Sequence, residues 1–368
     1  MKKIIGFCKK DIVLSISFIL CFLSFFMVPP SKAYIGYIDF HTLILLFCLM
    51  LIVEGLREQY FFSYVADILL KKIHSAKGLV FSLVFLCFIS SMFITNDVAL
   101  ITFVPFGILL LNAAGMDSKI CLTVVFMSIA ANLGSMFTPI GNPQNLYLFS
   151  LSQMKLTEFL SLMFPYTLIS AILFILFIVV FYKNKEIKVS VYQDKKLKYK
   201  NISIYILLFI LCLLCVGNIL SDWILVCIVA ATILLLDISL FSKVDYSLLL
   251  IFLFFFIFIG NINTLEGLHE ILSQWLLHHE KIFAIICSQF ISNVPCAMLL
   301  SAYTENYAQL IIGTNLGGLG TLIASMASLI SYKQIAVQYP KQKKKYLLIF
   351  TAWNLLFLIL LVGVSTFI

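Results

Sequence analysis

Charge is what this sequence has least of. Asp, Glu, Lys and Arg make up 11% of its 368 residues, less than half the roughly 25% of soluble domains, which excludes a soluble globular chain. Acids are scarcer than bases, 17 against 25, for a formal charge of +8. Nearly all the Lys lie in short loops between apolar segments, where they act as orientation signals, so nucleic acid is not an expected partner. No Gly-rich loop opens a helix after a strand, and no Ser-His-Asp arrangement or zinc-protease helix is present. About ten spans of roughly 20 residues leave no room for a nucleotide-binding domain, so neither an enzyme nor a bound cofactor is expected. The ten Cys lack the spacing of a disulfide framework and read as small apolar fillers. Cys212 and Cys215 have the two-residue gap of a metal pair, yet they sit mid-helix among Leu without a second pair. Glu266, His269, Glu270, His278, His279 and Glu280 read as a solvated loop. No metal is expected beyond a coupling sodium.

What the chain has instead is apolar length: 62% hydrophobic residues and a mean hydropathy of +1.09. The expected fold is an all-α polytopic membrane protein. Apolar runs at about 12–28, 40–56, 119–150, 159–181, 202–220, 222–240, 246–261, 305–332 and 346–367 read as nine spans. Residues 78–112 and 281–302 each carry a polar break and read as re-entrant helical hairpins. With the N-terminus in the cytoplasm, all but Lys32, Lys155 and Lys281 of the 25 Lys and Arg fall on the cytoplasmic side, as the positive-inside rule requires. The organisation expected is an N-terminal transmembrane helix in 1–33, a first repeat in 34–182 with hairpin 78–112, a basic cytoplasmic linker at 183–200, and a second repeat in 201–368 with hairpin 281–302. The hairpins then open to opposite faces, which makes the repeats inverted and suits alternating access. Residues 57–74 interleave charges with aromatics, an amphipathic pattern placed along the cytoplasmic interface.

Two echoes locate the expected site. Ile94-Thr95-Asn96 recurs as Ile291-Ser292-Asn293, and Asn132-Leu133-Gly134-Ser135 with Thr138 recurs as Asn315-Leu316-Gly317-Gly318 with Thr321. Polar, helix-breaking residues at corresponding places in two apolar halves point to a transporter's binding site. At a hairpin tip such groups cost several kcal/mol each unless protein, water or ligand answers them. Thr138-Pro139-Ile140-Gly141-Asn142-Pro143 breaks a spanning helix, exposing carbonyls for a cation and aiming a restarted half-helix at an anion. Asp97 is the only acid in the first hairpin, fit to take a proton or neutralise a cation. The second tip has Val294 at that place.

At these residues the chain resembles the ion transporter superfamily of citrate-transporter-like permeases, divalent anion:sodium symporters and arsenite permeases. Within it the chain is similar to the small citrate-transporter-like bacterial inner-membrane permeases. The resemblance rests on Thr95-Asn96-Asp97 with Val104-Pro105, Thr138 through Asn145, Ser292-Asn293-Val294-Pro295 and Asn315 through Thr321. It implies substrate binding at Thr95, Asn96, Asp97, Asn142, Pro143, Ser292, Asn293, Val294 and Thr321. Cation binding is implied at Thr95, Asn96, Gly134, Ser135, Ser292, Asn293, Gly317 and Gly318. Sodium-coupled dicarboxylate members carry Ser-Asn-Thr at each tip; here the third-position Thr is absent from both, and the Asn-Asp tip is more similar to arsenite-type permeases. The function implied is secondary active anion transport coupled to sodium or protons, with sodium/proton antiport, oxyanion efflux and a non-transporting ligand sensor as alternatives. The expected setting is the bacterial inner membrane. The expected partners are a small anionic solute, membrane lipid and, as a homodimer, a second copy of the chain.

Overall fold

A computed structural model describes residues 12–70, 73–187, 199–264 and 273–367, and every regular element among them is helical. The sixteen that matter here are α1 (Ile12–Ser24), α2 (Phe40–Glu58), α3 (Phe61–Leu70), α4 (Ala76–Ser90), α5 (Asn96–Ala113), α6 (Ile120–Ser135), α7 (Pro143–Ser152), α8 (Leu156–Phe181), α9 (Tyr199–Val216), α10 (Asp222–Leu236), α11 (Tyr246–Asn263), α12 (Glu280–Ile291), α13 (Asn293–Leu300), α14 (Tyr307–Gly317), α15 (Met326–Gln338) and α16 (Lys343–Val364). Seven helices among the described residues are long and apolar enough to cross a membrane, and the protein is an all-α, multi-pass membrane protein.

Polar side chains start the helices where apolar runs alone would not say where to begin. Asp39 caps α2 through the Thr42 amide, Ser75 caps α4 through Gly78, and Asp245 caps α11 through Ser247 and Leu248. Each such cap is worth about 1 kcal/mol. The small residues Ala130, Ala131 and Gly134 let α6 sit at the centre, buried along nearly its whole length, with α4, α5, α15 and α16 packed around it. In contrast α8 and α16 turn most of their apolar surface outward, as lipid-facing helices do.

Both expected long segments with internal breaks are broken. Residues 119–150 divide into α6 and α7 around 136–142, and 305–332 divides into α14 and α15 around 318–325. The two helix pairs expected as hairpins differ in reach. At 1.5 Å per residue, α12 and α13 run only about 18 and 12 Å, whereas α5 runs about 27 Å, close to the roughly 30 Å hydrocarbon core. The second arm of the first pair is thus long enough to cross by itself, because Pro105 lies inside it without ending it.

The amphipathic stretch after α2 folds as α3, set off by a turn at Tyr60 in the left-handed region. Of the basic linker, Lys185 and Ile187 hydrogen-bond to Ala76 and His74 at the foot of α4, and 188–198 lie outside the described residues. So do Glu266, His269 and Glu270. Docked on α11, α1 is fastened by Asn261, whose side chain donates to Ser24 and Tyr34.

Candidate functional site

The sequence echoes become one repeated piece of joinery. Thr138 donates its hydroxyl to the carbonyl of Met92, four residues before Asn96. Thr321 does the same to Gln289, four residues before Asn293, at 3.0 Å. Each break is thereby fastened to the arm of a helix pair just short of its tip. The paired glycines serve the same approach. A Cβ on Gly134 would lie 2.0 Å from the Phe88 carbonyl and 2.5 Å from Ser91 Oγ, and one on Gly317 would lie 2.7 Å from Ser288 Oγ. Ser91 and Ser288 each stand five residues before their tip Asn.

From these anchors a buried hydrogen-bond network crosses between the halves. Asn96 Nδ2 donates to Asn132 Oδ1 at 3.0 Å, and that same oxygen accepts from Ser325 Oγ at 3.0 Å. Asn132 Nδ2 in turn donates to Ser328 at 3.3 Å. Next to Ser325, the Ala324 carbonyl accepts the Asn293 amide at 3.0 Å, so the two tips are joined through the second break. Ser135 Oγ bonds the Asn132 carbonyl and accepts from Asn142 Nδ2. Asn142 also donates to Asn315 Oδ1 at 3.1 Å, and Asn315 donates to Asn145 Oδ1 at 2.6 Å. Asn96, Asn132, Asn142, Asn145, Asn293 and Asn315 are all buried, as are Ser325 and Ser328.

Four helices begin at this network: α5 at Asn96, α7 behind the cap Asn142 with Pro143 at its first position, α13 at Asn293, and α15 behind Ser325. Each N-terminus carries about half a positive charge from its unpaired amides. Ser292, between α12 and α13, is held at φ 73° and ψ 155°, a region essentially reserved for glycine.

Beside the first tip lies a cavity of about 240 Å³. Thr95, Asp97, Ile140 and Pro143 form its inner end, and Glu54, Arg57, Lys243 and Asp245 add charge to its walls. Arg57 pairs with Glu54 at 2.8 Å and Lys243 with Glu58 at 2.7 Å. One carboxylate oxygen of Asp97 is buried and has no hydrogen-bond partner among the described residues. Asp97 lies within electrostatic reach of Asp245, which faces the same cavity while capping α11.

The structure brings together Thr95, Asn96, Asp97, Asn142 and Pro143 at the first tip and break, and Ser292 and Asn293 at the second. Ser135 is part of the network, and Gly318 approaches Asn293 Nδ2 so closely that a Cβ would lie 3.0 Å from it. Val294 is buried in α13. Thr321 is exposed, its amide and hydroxyl both taken up by Gln289. Sequence reasoning missed Gln289, whose side-chain nitrogen also holds the Gly317 and Leu319 carbonyls of the second break. It missed Ser325 and Ser328 too, which look like packing residues, and the cavity-lining Glu54, Arg57, Lys243 and Asp245. In sequence Arg57 opens the amphipathic stretch and Lys243 is a loop cation; nothing there shows that they share a wall.

Comparison with known proteins covers most of the chain. The citrate transporter family profile matches residues 4–327. An uncharacterized transporter of Methanocaldococcus jannaschii is 36% identical over 301 residues, 80% of this chain and 81% of the relative. The inner membrane protein YbiR of Escherichia coli is 31% identical over 315 residues, 84% of each chain. The P protein of Mus musculus is 30% identical over 131 residues, 34% of this chain and 15% of its own length.

Proposed function

The chain belongs to the citrate transporter family and is a secondary transporter, and from that premise we propose that it moves a small anionic solute coupled to sodium or protons. One observation carries the reading: four helix N-termini converge on a single buried network of Asn and Ser. Such a place attracts negative charge, and amide side chains can exchange their mutual bonds for bonds to a carboxylate or oxyanion. Each exchange is close to balanced, since a lost hydrogen bond between neutral groups is worth only about 1 kcal/mol. That balance lets solute enter and leave.

In this reading the N-terminus is cytoplasmic, the membrane is a bacterial inner membrane, and the two helix pairs with their broken helices form inverted repeats around a midplane site. The cavity lined by Arg57 and Lys243 is then the cytoplasmic vestibule, and the conformation is open to the inside. The test is gradient-driven uptake into vesicles of a panel of carboxylates and oxyanions. Asn96→Ala and Asn293→Ala should each abolish transport while the protein still inserts; normal transport by both overturns the site.

A second reading, cation/proton antiport, is favoured by the buried Asp97 oxygen, which has no hydrogen-bond partner among the described residues. An unsatisfied buried carboxylate oxygen at the end of a cavity is suited to carry a proton or hold a cation. Sodium added without organic anion should dequench a pH dye in vesicles if this reading holds, and Asp97→Asn should remove the response. No sodium-driven proton movement, with anion uptake intact, leaves symport.

A further inference from the structure

Far along α2 from the vestibule, three helices meet. His41 stands in the first turn of α2, Cys215 is the penultimate residue of α9, and Asp222 opens α10. His41 Nδ1 lies 2.6 Å from Asp222 Oδ1, and Cys215 Sγ lies 3.1 Å from the same oxygen. Their donor atoms all fall within 4.8 Å of one another. Cys215 is buried, whereas the side chains of His41 and Asp222 are 23% and 27% exposed. The thiol of the cluster is therefore covered by protein, while its imidazole and carboxylate are partly exposed.

We propose that His41, Cys215 and Asp222 bind a divalent transition-metal cation, zinc being the representative, with the fourth position left to water. An imidazole nitrogen, a thiolate and a carboxylate are the three donor types that zinc accepts in tetrahedral sites. Bond lengths of about 2.0 to 2.3 Å put ligand atoms roughly 3.3 to 3.7 Å apart around such an ion. The two short contacts here need to open by less than an ångström, which side-chain rotation about Cβ supplies. In this structure the one Asp222 oxygen meets both the imidazole nitrogen and the thiol by hydrogen bonds; a metal would take the place of their protons and hold all three groups by coordination. The Cys212 and Cys215 spacing does not make the site. Only Cys215 joins it, at the helix end, and its co-ligands come from two other helices.

The consequence is mechanical. The same α2 contributes Leu46, Leu49, Met50 and Val53 to the cavity wall. A metal at its start pins that wall to α9 and α10, the two helices already packed along it.

The experiment uses the full chain, purified in detergent without a polyhistidine tag, stripped with chelator and titrated with cobalt(II). Wild type should show a near-ultraviolet thiolate-to-cobalt charge-transfer band that saturates at one cobalt per chain and is displaced by zinc. Cys215→Ser should abolish the band, and His41→Gln and Asp222→Asn should each weaken cobalt binding at least tenfold. His278→Gln with His279→Gln should leave it unchanged. No band in wild type, or an undiminished band in Cys215→Ser, overturns the proposal. Should Cys215→Ser fail to fold, unchanged cobalt affinity in monodisperse His41→Gln overturns it equally.

Discussion

At the scale of the residue, Ser292 shows how a tip is held in place. Its backbone at φ 73° costs about 1 to 3 kcal/mol for a residue with a Cβ, and its hydroxyl contacts to Asn293 and Ala324 are long, 3.4 Å each. The Asn293 amide, bonded to Ala324 at 3.0 Å, and the closeness of Thr321 and Gln289 fix the chain on both sides of it. Ser292→Gly should therefore stabilise the protein by about 1 kcal/mol, after roughly 0.5 to 1 kcal/mol is given back to the greater entropy of unfolded glycine. Thermal melting in detergent checks this. Ser292→Ala keeps the strained backbone and should show no gain; equal gains in both variants would mean the hydroxyl, not the backbone, was unfavourable.

At the scale of the element, the half-helix α7 is where sequence and structure can be weighed against each other. Its cap Asn142 satisfies the Asn145 amide at 2.9 Å and also holds Asn315 on α14. Asn142→Ala should cost about 1 to 2 kcal/mol as a lost cap, and Asn315→Ala about 1 to 3 kcal/mol through partners left unsatisfied. Because the two share one hydrogen bond, the double variant should be less unstable than the sum by about 0.5 kcal/mol or more. Additive losses by chemical denaturation would show the halves to be uncoupled here. Sequence alone located this break, since Pro139 and Pro143 four residues apart with Gly141 between them disfavour a continuous helix, and the echo located its partner. What sequence could not show is that Asn142 reaches Asn315 and Asn132 reaches Ser325, because pairing across 173 and 193 residues is decided by packing. Gly134 carries a related lesson. Resemblance placed it beside a cation, while the structure shows the more elementary reason for a glycine, a carbonyl where a Cβ would stand. The chain's apolar periods were enough for the helices, and the reach of α5 depended on whether Pro105 ended it, which it does not.

At the scale of the whole molecule, the proposed function makes a statement about sidedness. Arg57, in the last turn of α2, and Lys243, just before α11, stand at helix ends that the positive-inside rule assigns to the cytoplasm, and both line the cavity together with Asp97 and Pro143. If this is the resting conformation, the inner end of the cavity is wet from the cytoplasmic face only. Val98 lines it and is half-buried, one residue beyond Asp97. Val98→Cys should react with a membrane-impermeant maleimide in inside-out vesicles and much more slowly in right-side-out ones. Parent protein labelled in parallel supplies the background from the native cysteines, Cys227 on the outer surface of α10 among them. Faster labelling in right-side-out vesicles would reverse the assigned topology. Equal labelling from both sides would mean that the cavity is open at both ends or that both conformations are populated, and a transporter coupled to an ion gradient can tolerate only the second.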